Sequence, residues 1–346
     1  MPFVRTTAKI LAATLISVSL ILPASAQNPN PKSVSSLSRV LGTIESPEGK
    51  AIYEEQMSGS TRPDGFGTVL PRGVTAEDVV RLILPKADPS LATLVGMKRW
   101  PYGKDMYVAF ACIAPNQATK DSVIKYNNGE PICSPRDKVV VDPSGNPEDE
   151  YLMALAMLKH DEQKRLSLAS TVISWSGIEG SPLGASWEHS NLVNPDGIAW
   201  SEDKDNESRY ALFFPEEIYR FDFAKYAITK SNIAFGIRSG ISKGYAGGGG
   251  NFQILTLFAV VDGELRAIFS EPIYYFQDIA GDWNEDGTRN HNIYEGENIV
   301  IVSEATANGY FKLLVKPKKI VKSKKKPWHK SFRWDPTIRR YVAEDA

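Results

Sequence analysis

Apolar residues fall in short runs along this chain, with few long stretches of helical spacing. The densest run lies within Phe252 to Ser270, where Ile254 to Val261 is almost unbroken. It is short for a helix, rich in β-formers, and followed at once by Asp262-Gly263. Asp-Gly between two apolar runs predicts a two-residue hairpin, because a type I′ turn needs positive φ at both central positions. The first strand of that hairpin has no polar face, so it predicts cover on both sides. Residues 151–170 align with 252–270, with Asp161 on Asp262 and Ser170 on Ser270. Both stretches read as apolar strand, acidic turn, second strand, which favours two related β units.

Further strands are predicted at Asp105 to Pro115, Arg209 to Phe214, Phe221 to Tyr226, Ile233 to Ser239, Pro272 to Phe276, Glu297 to Val302 and Tyr310 to Val315, with a short strand and a turn at 138–147 and two strands around Asp335-Pro336 in 331–342. A polar loop is expected from the end of the first of these to Cys133. Helical spacing is clear only at Thr75 to Leu84, where Thr75 is an N-cap, Asp78 stands at the third position and Pro85 stops the run. The fold class is therefore mainly β, with antiparallel sandwich- or barrel-like units and one short N-terminal helix. The expected organisation is a signal peptide (1–26), a flexible leader (27–74) with one short helix near Ala51 to Met57, a helix plus first β unit with a disulfide (75–180), a loop-rich connection (181–208) and a second β unit (209–346).

The N-terminus changes the picture from fold to compartment. Arg5 and Lys9 precede the apolar run Ile10 to Leu22, and Ala24-Ser25-Ala26 is an A-x-A cleavage pattern. The run is short for a membrane span. An exported chain of the bacterial periplasm or cell surface is expected, with no transmembrane segment after cleavage. In that compartment the two cysteines of the chain, Cys112 and Cys133, are expected to form a structural disulfide. A net charge of −1 over 346 residues selects no class of partner.

Four stretches carry candidate chemistry. The segment 282–290 has the D-x-[DN]-x-[DN]-G spacing, with Asp282, Asn284, Asp286, Thr288 and Asn290 as oxygen ligands for calcium. Glu295 or Asp278 would supply a further carboxylate, since Ile293 stands where an EF-hand has glutamate. Over these nine residues the loop resembles the short Asp-rich calcium loops of extracellular β-propeller and dockerin-type repeats. That resemblance implies a metal-stiffened turn and nothing about the rest of the chain. The plainer reading is a polar hairpin turn, with His291 beside it at the surface.

Residues 240–244 match G-x-S-x-G, but the flanks read as strands, and the hydrolase elbow needs a helix after the serine. The same stretch, 239–250, reads instead as a glycine-rich recognition loop with Arg238, Lys243 and Tyr245 as partner-binding residues, or more plainly as a hairpin connection. The third stretch, 316–330, holds eight lysines and no acid. In an exported protein this suggests an anionic envelope partner, not nucleic acid, or lysines that guard a sheet edge. Finally, the carboxylates Glu216-Glu217 and Asp203/Asp205 are the material for acid–base work, while His160 and His189 sit in polar turns and read as surface residues.

Three functions are consistent with this inventory: an exported non-enzymatic binding or interaction protein, an exported hydrolase of glycans or esters using paired carboxylates, and a calcium-stabilised structural module of the envelope.

Overall fold

The structure, a computed structural model, describes residues 31–344 except 59–63, 136–149, 162, 164, 178–179, 194, 196–211, 246 and 320–326. The expected signal peptide, the short strand and turn at 138–147 and half of the connection 181–208 lie outside the described residues.

The chain begins with β1 (Lys32–Val34), α1 (Val40–Thr43), α2 (Pro47–Ser58) and α3 (Ala76–Ile83). A small sheet follows, made of β2 (Ala92–Arg99), β3 (Met106–Ile113), β4 (Leu152–His160), β5 (Leu166–Leu168) and β6 (Ile173–Ser176), with α4 (Gln117–Tyr126) between β3 and β4. Two short strands, β7 (Ala185–Ser186) and β8 (Leu212–Phe213), pair with each other. The large sheet is a meander: β9 (Glu217–Ala227), β10 (Ile233–Tyr245), β11 (Gly248–Val261), β12 (Glu264–Trp283), β13 (Arg289–Ala307), β14 (Tyr310–Pro317), β15 (Lys330–Asp335) and β16 (Arg340–Ala343), each antiparallel to the next. The architecture is therefore mainly β and antiparallel, with few helices.

The central hairpin forms as its sequence dictates. Asp262 and Gly263 have φ of 52° and 82°, and Val261 pairs with Glu264 across the turn. All of Ile254 to Val261 is buried except Val260, which is half-buried. On one face of β11, Phe258 meets Phe235, Phe221 and the small sheet's Phe110 and Leu155. On the other, Leu255, Leu257, Ala259 and Val261 join Leu313, Val315, Phe332 and Trp334, so the large sheet curls back on itself. The Phe311 amide donates to the Ile228 carbonyl at 2.8 Å and ties β14 to the end of β9. The stretch 151–170 is also an antiparallel hairpin, β4 with β5.

The small sheet uses its alternation to sort side chains by size. Val108, Phe110, Cys112, Met153 and Leu155 face the large sheet. Ala109, Ala111, Ala154 and Ala156 face outward and leave room for Val79, Val80 and Ile83 of α3. That helix has the full capping box: Asp78 N–H donates to Thr75 Oγ1, and the Asp78 carboxylate accepts from the Thr75 amide. Cys112 and Cys133 are disulfide-bonded. Cys133 also pairs with Ile218 of β9, so the bridge joins the small sheet to the large one.

Two expectations give way. Residues 117–126, within the expected polar loop, are helical, capped by Asn116, whose side chain accepts from the Thr119 amide at 2.9 Å. The leader 27–74 is not a free tail over 32–58. There β1 pairs with β13, and Val40, Ile44, Ile52 and Tyr53 pack on Tyr274, Phe276 and Ile293. The Glu295 carboxylate accepts from the Glu45 and Ser46 amides at 3.0 and 3.1 Å, just before α2. Composition alone underrated this segment, because its apolar partner lies more than two hundred residues away in sequence.

Candidate interaction surface

Two hairpins end side by side at one end of the large sheet. The β10–β11 hairpin runs without a loop to Tyr245, whose backbone pairs with Gly248. The β12–β13 hairpin closes with Trp283 opposite Arg289, around a turn in which the Asn284 amide donates to the Thr288 carbonyl at 2.8 Å. Gly287, at φ 78°, supplies the left-handed position of that turn. Trp283 is 69% exposed. The Arg289 guanidinium lies over its ring, 5.4 Å from the centroid, while Nε donates to the Gly281 carbonyl at 2.9 Å. Gly247, at φ 100°, touches the same guanidinium so closely that a side chain there would collide with it. The tip thus carries a large aromatic ring backed by a cation and held on paired backbone. Lys243, Asp282, Glu285 and Asp286 are exposed around it.

Behind the tip, the sheet face covered by residues 32–58 sets polar side chains among apolar ones. Asn251 and Gln253 are fully buried. Asn251 Nδ2 donates to the Tyr219 and Ser242 hydroxyls, both at 3.0 Å, and Gln253 Nε2 donates to Glu48 of α2 at 3.2 Å. Asp278 and His291 form a buried pair at 2.8 Å. Burial raises the Asp278 pKa and outweighs the opposing bond to His291.

The expected recognition residues divide. Lys243 is on the exposed tip, and Tyr245 stands in β10 beside the turn. Arg238 does not belong to the exposed tip: it is half-buried and paired with Asp222, with Nε donating at 2.8 Å. Burial alone would raise the Asp222 pKa, but the Arg238 charge and its bonds hold it below the usual range. The physical reason is register. Arg238 stands opposite Leu255, on the face that the curled sheet encloses. The stretch 239–250 is strand on both sides of its turn, not a flexible loop, and Ser242 sits in mid-strand as a hydrogen-bond acceptor.

In the expected calcium loop, Asp286 Oδ1 accepts from the Thr288 amide and hydroxyl at 2.9 and 2.6 Å, which lowers its pKa. Asn284 Nδ2 donates to the Ser35 carbonyl and to Thr288 Oγ1. Asp282 is exposed and Asn290 half-buried. Of the proposed extra carboxylates, Asp278 is held by His291 and Glu295 by the amides before α2. Among the described residues, no group of three Asp, Glu, His or Cys side chains is arranged to hold a metal ion. His291 is buried, not at the surface.

Three described lysines of the basic stretch pair with acids. Lys318 bonds Glu297 at 2.9 Å, Lys319 bonds Glu45, and the half-buried Lys330 bonds the buried Glu271 at 2.9 Å. Glu216 and Glu217 stand at the head of β9; Asp203 and Asp205 lie outside the described residues. His189 is exposed, whereas His160 is half-buried with its ring edge-on to Tyr107. Trp283 was visible in sequence only as one position of the calcium pattern. Its signal is an aromatic residue directly before an Asn-Glu-Asp-Gly turn, opposite an arginine.

Fold and site together define an antiparallel β protein with a two-hairpin aromatic tip. Comparisons with protein-family models, with curated proteins and with solved structures find no match to this chain.

Proposed function

We propose that this chain is an exported, non-enzymatic binding protein of the bacterial periplasm or cell surface that engages a protein partner through the paired hairpin tips. The observation that carries the reading is Trp283, 69% exposed on paired backbone and backed by Arg289. Tryptophan and arginine are the residues that most often dominate binding energy at protein interfaces. Holding the ring on two strands lowers the entropy lost on binding. Export is supported by the charged and apolar pattern of residues 1–26 and by the disulfide.

The test compares capture of envelope proteins by the wild-type chain, Trp283→Ala and Ile338→Ala. Ile338 is 52% exposed in the turn between β15 and β16, away from the paired tips. A specific partner is expected to bind at least about tenfold more weakly to Trp283→Ala, the loss of a typical hot spot, and to be unaffected by Ile338→Ala. Equal capture by all three chains would overturn the proposal.

A further inference from the structure

A second site lies on the small sheet, away from the tip. The loop before α3, the exposed side of α3 and the β4–β5 turn enclose an open cleft of about 580 Å³. Its floor is apolar, from Val74, Leu82 and Leu166, and its walls carry Arg72, Arg81, Arg165 and His160.

The arginines come from three separate segments, and two form exposed ion pairs with an acid four residues earlier. Arg81 Nε and Nη2 both reach Glu77 Oε1, at 2.7 and 2.6 Å, one helical turn earlier. Arg165 Nε bonds Asp161 Oδ2 at 2.9 Å, and Asp161 is itself held by the Gln163 and Arg165 amides. These contacts orient each guanidinium and use only part of its five-donor fork. Asp78, the carboxylate in the cleft wall, is engaged by the Thr75 amide and hydroxyl at 2.9 and 2.7 Å. Arg72 has no hydrogen bond or ion pair with another described residue.

We propose that this cleft binds a small anion bearing more than one phosphate group. Planar guanidinium forks match phosphate oxygens two at a time. Three of them converging from separate segments suit a ligand of several negative charges better than a single carboxylate. The carboxylates nearby are engaged by the arginines or by the helix cap, and each arginine keeps further N–H donors for a ligand. The apolar floor would take an organic part of the same molecule.

The probe is inorganic pyrophosphate, titrated calorimetrically into the disulfide-bonded chain at low ionic strength, with citrate and sulfate as comparison anions. Pyrophosphate is expected to bind one site per chain and to weaken steeply with added salt. Arg72→Ala and Arg165→Ala are each expected to weaken it at least about tenfold, as for loss of a charge-assisted bond, while Trp283→Ala leaves it unchanged. Arg72 is exposed and has no bond to another described residue, so its removal is not expected to lower the melting temperature, which separates lost binding from lost folding. Three results would overturn the proposal: no heat at millimolar pyrophosphate, arginine variants that bind like the wild type, or citrate or sulfate binding as tightly as pyrophosphate.

Discussion

The same residue type does different work here according to the face on which register places it. Arg238 reads as a recognition residue in sequence, yet it is half-buried against Asp222, while Arg289 supports an exposed tryptophan. Glu271 shows how far enclosure can move a carboxyl. Its burial outweighs the Lys330 charge and pushes its pKa up to about 7. Because the folded state then holds a proton that the unfolded state has released, stability should fall as pH rises from about 4.5 to about 7, and be flat in this respect above that window. Thermal unfolding across that range should show the slope in the wild type. Glu271→Gln, which cannot titrate, should remove much of it; an unchanged slope would assign the pH dependence to other groups.

At the scale of elements, hairpin turns obey local chemistry and helices obey caps. The 284–288 segment behaves as a turn whose side chains satisfy one another. With Asp286 and Asn284 already engaged, the melting temperature should differ by less than about 1 °C between excess calcium and chelator. A tight site at a hundredfold excess of ligand would add about 2.7 kcal/mol, roughly 5–11 °C for a chain of this size. A shift of that size, lost in Asp282→Ala, would return this segment to the calcium loops. The N-terminal segment makes the opposite point: its weakly amphipathic helix is held by a remote face. Ile52 is 1% exposed against the large sheet. Ile52→Ala should cost about 2–5 kcal/mol, as for a typical core truncation. Chemical denaturation of that variant measures this directly, and a cost near zero would return 32–58 to the status of a loose leader.

At the scale of the molecule, the two sheets share one core, and a covalent bond spans them. Phe110 and Leu155 from one sheet meet Phe235 and Phe258 from the other. Cys112 lies in β3, while Cys133 pairs with β9. Replacing both cysteines by serine should therefore remove about 3 kcal/mol through loop entropy, read as a melting temperature lower by roughly 6–12 °C. Unfolding of the oxidised protein should be a single transition; two separate transitions would mean that the sheets fold independently. The buried position of the bridge also implies slow reduction of the native protein.

The central hairpin, the capped α3 and the strand at 151–160 were legible because each depends on neighbours within a few residues: turn dihedrals, a reciprocal cap, an apolar run. The mainly β class follows from them, and the cysteine pairing from the count of two and the expectation of export. The helix at 117–126 was missed because its residues are polar and its cap, Asn116, looks like any loop asparagine. Tertiary structure alone decided which arginine is enclosed with an acid, that 32–58 covers a sheet face, and that Trp283 stands beside a second hairpin tip. Those outcomes rest on contacts between segments far apart in sequence. They are set by strand register and the curl of the sheet, which no local pattern encodes.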